Sequence, residues 1–196
     1  MRKNLAIIFI LAATTALVYL QSLSHSFAGM DIGDYITNAH LNAGLNIESI
    51  KWAFTSVNAA NWHPVTMIFH LLNRQLFGLN PMGHHFVNIT LHIINSILLF
   101  YLLNKITGAT YRSAIVAGFF ALHPLHVESV AWAAELKDVL STLFFFLALI
   151  SYCKYTITNR AYNYYITVLL YILGLMSKPM LVTAPRYCKW VVLVNG

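Results

Sequence analysis

The segment His123-Pro-Leu-His-Val-Glu128 concentrates ionisable side chains between two apolar stretches of the chain. Glu135, Lys137 and Asp138 follow a few residues later. Ionisable groups within apolar segments must face a polar cavity or pair with one another, so they mark a candidate functional site. The proline lacks a backbone donor and bends the helix here. The alternative is an ordinary helix end at a membrane interface, with the imidazoles hydrogen-bonded to the backbone.

The same segment contains residue types that bind metal ions. His123, His126 and Glu128 are plausible zinc ligands by type. Their spacing differs from that of a zinc-protease helix, in which two histidines lie four apart with a glutamate between them. We therefore assign no metal ligand among these residues. A divalent cation as an additional cofactor is left open.

Other candidate groups lie elsewhere in the chain. Asp31 and Asp34 follow the first apolar run in a glycine-flanked loop, where a carboxylate can act as a general base, although solvated loop acids are the alternative. His63 belongs to a polar-aromatic cluster, Asn61-Trp-His-Pro64. Lys178 follows the last apolar run, where its ammonium group can hold a phosphate oxygen or extend to the membrane interface.

The composition predicts that a membrane surrounds the elements that position these groups. The chain is 59% hydrophobic and 9% charged, whereas soluble domains carry about a quarter charged residues. Lipid can solvate such an apolar exterior. We predict an all-α, multi-pass membrane protein with about five transmembrane helices and a long first extracytoplasmic loop. The predicted spans are residues 5–23, 85–103, 113–130, 139–153 and 161–176, with amphipathic helices at 47–54 and 65–77 in the loop.

Charge distribution predicts an orientation. Arg2 and Lys3 favour a cytoplasmic start of the first span, although a cleaved signal peptide is the alternative for this run. The turns that then face the cytoplasm carry Lys105, Arg112, Lys154 and Arg160 and no acid, whereas all acids face the other side. The chain's net charge of +6 is scattered, so we predict no nucleic-acid partner. The loop lacks a convincing glycosylation acceptor, which favours a bacterial inner membrane.

Several longer motifs resemble one known family. They are Trp52-Ala-Phe-Thr55, Asn61-Trp-His-Pro64, Gln75-Leu-Phe-Gly-Leu-Asn-Pro81, Gly83-His-His85, His123-Pro-Leu-His-Val-Glu-Ser-Val-Ala-Trp132, Lys137-Asp-Val-Leu-Ser141 and Lys178-Pro-Met-Leu-Val-Thr183. In order and spacing they resemble the membrane domain of the transmembrane and tetratricopeptide-repeat proteins. That family is similar to glycosyltransferases of the GT-C fold. Its animal members are O-mannosyltransferases that use dolichyl-phosphate mannose.

The resemblance implies an enzyme that transfers a sugar from a polyprenyl-phosphate donor to a protein hydroxyl on the extracytoplasmic face. Membrane lipid, the lipid-linked sugar and the protein acceptor would be its partners, and no other cofactor is implied with certainty. A carboxylate of the first loop would activate the acceptor. The implied catalytic carboxylates are those of Asp31 and Asp34. The implied substrate-binding residues are His63, His123, His126 and Glu128, and Lys178 would lie beside the phosphate.

The chain departs from the family pattern in two places. Ile32 stands where the family has the second of two paired acids, and residues 186–196 no longer follow the family sequence. We therefore expect residues 1–185 to be a truncated, partial GT-C-like membrane domain, inactive alone, and 186–196 to be an aberrant tail from a frameshifted or truncated reading frame. A non-catalytic scaffold or subunit that pairs with a helical-repeat or membrane chain is the alternative function. A small transporter is disfavoured because no inverted repeat is visible.

Overall fold

The computed structural model describes residues 2–28, 32–58 and 61–183, and in these ranges the chain is α-helical without a β-strand. This confirms the predicted all-α class. The α-helices are α1 Arg2–Tyr19, α2 Ile32–Tyr35, α3 Ile47–Thr55, α4 Pro64–Phe77, α5 Pro81–Thr107, α6 Thr110–Leu122, α7 Val127–Ala131, α8 Leu136–Thr158 and α9 Ala161–Leu175. Short 3-10 turns follow α1 and flank α7. The predicted catalytic residue Asp31 and the predicted tail lie outside the described residues.

Three helical segments within these ranges are long and apolar enough to cross a membrane: Arg2–Ser24, Pro81–Thr107 and Ala133–Thr158. The pair α6 and α7 forms a fourth span if it is counted as one element bent by 49°. The fifth predicted span corresponds to α9, which has 15 residues. At 1.5 Å per residue, α9 is about 22 Å long, shorter than the hydrocarbon layer of about 30 Å. The chain is therefore a multi-pass membrane protein with three to four full spans in its described part.

Local sequence explains the bounds of α5, the longest helix. The side chain of Asn80 accepts a hydrogen bond from the backbone N–H of Met82, and Pro81 occupies the first turn. The helix ends at Gly108, which adopts a left-handed conformation with φ of 66°. The helix thus extends to Thr107, beyond the predicted end of this span at residue 103, and only two residues separate it from α6.

The amphipathic helices predicted in the first loop are present as α3 and α4. They pack with the loop's other apolar residues around Tyr35, Met67 and Leu71, which are almost completely buried. Ala133 and Ala134, at the start of the third long span, belong to the same cluster. The loop therefore forms a packed layer on one end of the helix bundle.

Helix α5 contacts α1, α6, α7 and α8 and lies at the centre of the bundle. Polar side chains of α5 bond to backbone oxygens of the neighbouring segments. These contacts are Asn88 Nδ2 to Trp132 O at 3.0 Å, His92 Nε2 with Ala121 O at 3.0 Å, and Asn95 Nδ2 to Val139 O at 2.8 Å. Such bonds fix the rotation of α5, so its polar face is turned toward the start of α8.

Candidate functional site

Lys178 forms an ion pair with Asp138, which lies in the first turn of α8. Its Nζ contacts Oδ1 of Asp138 and lies 4.0 Å from Oε2 of Glu135. Helices α8 and α9 are antiparallel neighbours, so the start of α8 and the segment after α9 meet at one end of the bundle. Pro179 disfavours helix at the preceding residue and keeps Lys178 outside α9. The packing of two helices therefore brings together charges that are forty residues apart.

Two contacts with α4 hold the segment that leads to Lys178. The hydroxyl of the buried Thr66 donates a hydrogen bond to Ser177 O at 2.9 Å, and the backbone N–H of Val65 donates to Met176 O at 3.2 Å. Helix α4 begins directly after His63, so the motif Asn61-Trp-His-Pro64 lies at the start of the element that positions Lys178. The first loop and the last described helix are thus joined at the site.

A cavity of about 210 Å³ opens beside this ion pair. Its polar lining residues include His92, Asn95, His126, Ser129, Asp138 and Lys178. The Ser129 hydroxyl donates to Oδ2 of Asp138 at 2.9 Å. Oδ1 of Asn95 is buried and has no hydrogen-bond partner among the described residues. An unsatisfied buried acceptor is costly, and this oxygen has no exposed surface toward the cavity.

Two histidines form an aromatic wall of the cavity with Phe120. The ring of His126 lies 4.6 Å from that of Phe120 and 5.6 Å from that of His92, measured between centroids. His92 is fixed by its bond to the backbone oxygen of Ala121. The C–H groups on one face of a sugar ring can pack on the flat face of an aromatic ring. This wall therefore suits a polar ligand that has one apolar face.

The structure separates the other residues of the predicted His123–Glu128 cluster from the cavity. His123 is exposed, and its Nδ1 accepts a hydrogen bond from the backbone N–H of Leu125 at 3.2 Å. Glu128 is exposed on α7. The 3-10 turn at Pro124–His126 rotates neighbouring side chains into different directions. Among the three, only His126 lines the cavity.

Of the two acids predicted as catalytic in the first loop, the structure describes Asp34. Asp31 lies outside the described residues, and Asp34 is exposed in α2. The next residue, Tyr35, is completely buried, and its ring stacks on His63 at 5.3 Å and lies under Nζ of Lys137 at 4.8 Å. Tyr35 therefore fixes this part of the loop against the start of α8.

The contacts of Lys137 extend from the loop to the site. Its Nζ lies 2.9 Å from Oε1 of Glu135, and the other oxygen of that carboxylate faces Lys178. Lys137 and Lys178 thus face two carboxylates, Glu135 and Asp138, and of these four residues Asp138 and Lys178 line the cavity. The four charges balance, so an entering anion must compete with a carboxylate for an ammonium group.

Two histidines beside Tyr35 are neutral at physiological pH. Burial lowers the pKa of His63 to about 4, and the positive charge of Lys137 contributes in the same direction. Burial lowers the pKa of His70 to about 3, with smaller contributions from His84, His63 and Lys137. His63, which we predicted to bind substrate, packs against Tyr35 and is not part of the cavity lining.

In residues 2–28, 32–58 and 61–183, no group of three His, Cys, Asp or Glu side chains is arranged to hold a metal ion. The donor set of the cavity also contains Lys178, whose ammonium group repels cations. The described residues thus do not form a metal site by themselves.

The chain is 24% identical to protein O-mannosyl-transferase Tmtc1 of Drosophila melanogaster over 193 residues, which cover 95% of this chain and 22% of the relative. It is 32% identical to protein O-mannosyl-transferase F38B6.6 of Caenorhabditis elegans, over 91% of this chain and 27% of the relative. It is 30% identical to mouse TMTC1, over 73% of this chain and 16% of the relative. The chain is a homologue of the protein O-mannosyl-transferases.

This chain spans about a fifth of the length of the O-mannosyl-transferases it matches. No family model and no solved structure matches it. Within the chain, the structure joins three motifs of the family resemblance at one cavity. His126 and Ser129 belong to the motif that begins at His123, Asp138 and Ser141 to the motif that begins at Lys137, and Lys178 and Met180 to the motif that begins at Lys178.

Several residues of this cavity were not predicted as site residues from the sequence. His92 and Asn95 lie within an apolar span three residues apart, a spacing that places them on one helix face. Polar residues at such positions are themselves a signal of a functional cavity. Asp138 was recognised as part of a charged segment, but only the packing of α8 on α9 identifies it as the partner of Lys178.

Proposed function

We propose that this chain forms the donor site of a membrane glycosyltransferase that transfers a sugar from a polyprenyl phosphate to a protein hydroxyl on the extracytoplasmic side. The names of its homologues specify protein O-mannosyl transfer, and mannose is therefore the proposed sugar. The observation that carries the proposal is the ammonium group of Lys178 at the wall of a polar cavity, at the end of the spans. A phosphate headgroup can reach this position while its polyprenyl chain remains in lipid.

In the proposed reaction, a carboxylate accepts the proton of the acceptor hydroxyl as the hydroxyl oxygen attacks C1 of the sugar. The bond between C1 and the phosphate oxygen breaks, and polyprenyl phosphate leaves with the electron pair. Asp31 is the proposed base, by its place in the family motif, and Asp34 is the second loop acid. Lys178 stabilises the charge that grows on the leaving phosphate.

The neighbours of Lys178 support this role. Asp138 and Glu135 hold the ammonium group in place when no donor is bound. A phosphate replaces Asp138 as the partner of Lys178, and the hydroxyl of Ser129 continues to bond to the displaced carboxylate. The ring of His126 packs beside the sugar.

The proposed orientation has the start of α1 in the cytoplasm, in a bacterial inner membrane. The turns between α5 and α6 and between α8 and α9 lie at the same end of the bundle as the start of α1. These three places carry basic residues and no acid, which agrees with the bias of cytoplasmic segments toward Lys and Arg. The cavity with Lys178 lies toward the other end.

Binding of undecaprenyl phosphate to the full chain in nanodiscs tests the proposal without requiring activity. Lys178→Met keeps the length of the side chain and removes its charge. Loss of a charge-assisted hydrogen bond of about 1.5–3 kcal/mol weakens binding by about tenfold or more. Lys154→Met, which removes an exposed charge at the other end of α8, is the matched control and leaves binding unchanged. Equal affinities for wild type and Lys178→Met would reject the donor site.

Transfer of labelled mannose from its polyprenyl phosphate to a peptide by purified membranes tests the complete reaction. Asp31→Asn abolishes transfer if Asp31 is the base, and retained transfer rejects that assignment. A chain that binds the donor, transfers nothing and co-purifies with a larger membrane enzyme favours the alternative function of a non-catalytic subunit.

A further inference from the structure

A second cavity, of about 680 Å³, lies at the opposite end of the bundle from Lys178. The first turn of α1 and the turn between α5 and α6 form its walls, and α1 packs against both of these helices. The residues that determine its character are Arg2, Lys3, Asn4, Thr110, Tyr111 and Arg112. Helix packing therefore brings basic side chains from two distant parts of the chain to one place.

The cavity carries three positive charges and no acid among its lining residues. Arg2, Lys3 and Arg112 are exposed, and none of them forms an ion pair with another described residue. Like charges around one cavity repel, and an anion between them lowers the electrostatic free energy. Guanidinium groups also match the geometry of phosphate oxygens, to which they can donate two parallel hydrogen bonds.

The start of α6 adds further donors at the same wall. Its N-cap residue is Ala109, whose methyl side chain cannot accept a hydrogen bond from the free N–H groups of the first turn. The positive end of the helix dipole therefore remains uncompensated beside the guanidinium group of Arg112. Tyr111 is 69% exposed next to the cavity, as is common for aromatic residues at the level of lipid headgroups.

We propose that this basic cavity binds the phosphate of an anionic phospholipid. Both of its walls are ends of long apolar helices that cross the membrane, so the cavity lies at headgroup depth. At this depth, lipid phosphates are the abundant anions. The proposal is independent of glycosyl transfer, because the cavity shares no residue with the cavity beside Lys178.

Lipid retention in native mass spectrometry tests this site. The full chain is reconstituted in nanodiscs of one part phosphatidylglycerol to three parts phosphatidylcholine, then released from the nanodisc in the spectrometer. Wild type retains phosphatidylglycerol in preference to phosphatidylcholine. Each basic residue lost at an anionic surface weakens binding by about fivefold, so the double variant Arg2→Gln/Arg112→Gln is expected to retain about thirtyfold less phosphatidylglycerol. Arg160→Gln, an exposed residue of the α8–α9 turn, is the matched control and retains lipid as wild type does.

Three results would overturn the proposal. Equal retention of the two lipids by wild type would show that the cavity does not select an anionic headgroup, whatever the variants do. An equal loss in Arg160→Gln would assign the effect to total charge at this end. Displacement of phosphatidylglycerol by inorganic phosphate alone would assign the cavity to a free anion. Because the substitutions also remove charges that orient spans, Arg2→Lys/Arg112→Lys is measured alongside, and it retains the lipid preference.

Discussion

The hydroxyl of Thr66 donates a hydrogen bond to the backbone oxygen of Ser177 at 2.9 Å, although 111 residues separate the two in sequence. Both residues are completely buried. The bond joins the first turn of α4 to the residue before Lys178, so it links the first loop to the ammonium group at the cavity. A contact outside the cavity thereby fixes the position of a group inside it.

Thr66→Val is expected to weaken binding of undecaprenyl phosphate. The substitution keeps the volume of the side chain but leaves Ser177 O without its partner, at a cost of about 1–3 kcal/mol to the local structure. Lys178 then loses its fixed position. Thr66→Ser retains the hydroxyl and is expected to bind as wild type does. The measurement is donor affinity in nanodiscs, and unchanged affinity of Thr66→Val would show that this bond does not position Lys178.

Asn95→Ala is expected to loosen the contact between α5 and α8. The variant loses the hydrogen bond to Val139 O, and polar contacts between membrane helices contribute about 0.6 kcal/mol on average and up to about 1.7 kcal/mol. The free energy of unfolding, measured by denaturant titration in mixed micelles, should fall by an amount in this range. Thr90→Ala is the control, because the hydroxyl of Thr90 bonds only to Phe86 O of the same helix. A larger loss in the control would contradict the assigned role of Asn95.

Stability of the first loop is expected to decrease as the pH falls below about 6.5. The pKa of His63 is lowered from 6.5 to about 4 in the folded protein, and that of His70 to about 3. Between these values the unfolded chain binds protons that the folded protein does not, so protonation favours unfolding. The contribution to stability is complete above pH 6.5 and is lost as the pH falls toward the folded-state values. Thermal unfolding across this pH range measures it.

His63→Phe separates this titration from other effects of acid. Phenylalanine retains the ring that stacks on Tyr35 and cannot bind a proton. The variant should show a shallower decrease of stability between pH 6.5 and 4 than wild type. An unchanged slope would mean that another group accounts for the acid sensitivity.

Gly83→Ala is expected to destabilise the corner between α4 and α5. A Cβ atom at this position would lie 2.2 Å from Cγ of Phe77 and 2.6 Å from its Cβ. Rotation of the Phe77 side chain about its Cα–Cβ bond moves Cγ and relieves the first contact, but the second contact requires movement of the backbone. Overpacking of this kind costs about 1–3 kcal/mol. Phe77→Ala in the same chain should restore part of the loss in thermal stability, and failure of this rescue would exclude the clash as the cause.

The helices could be predicted from sequence because each depends on local properties. The apolar runs predicted α1, α5 and α8, and the amphipathic spacing predicted α3 and α4 with nearly correct bounds. The count of full spans was less accurate, because α9 has the composition of a span without its length. Composition determines where a chain can enter lipid, whereas length determines whether it crosses.

The cavity could be predicted only in part, because its walls depend on which helices pack together. Lys178 and His126 were recognised by residue type and line the cavity. His123 and Glu128 are close to His126 in sequence but point elsewhere, since the backbone between them changes from a 3-10 turn to an α-helix. The partner of Lys178 could not be identified among several acids before the antiparallel packing of α8 and α9 was known.

The 49° bend between α6 and α7 has a consequence for the surrounding lipid. His92 and His123 provide partners for backbone groups at the break, but the imidazole of His123 is itself exposed. Hydrocarbon solvates such a polar ring poorly, so water must approach His123 from the membrane surface. We therefore expect the bilayer to be thinner beside this segment than elsewhere around the protein. A charged headgroup could then reach the level of Lys178 without leaving hydrated surroundings, while its tail lies sideways among the acyl chains.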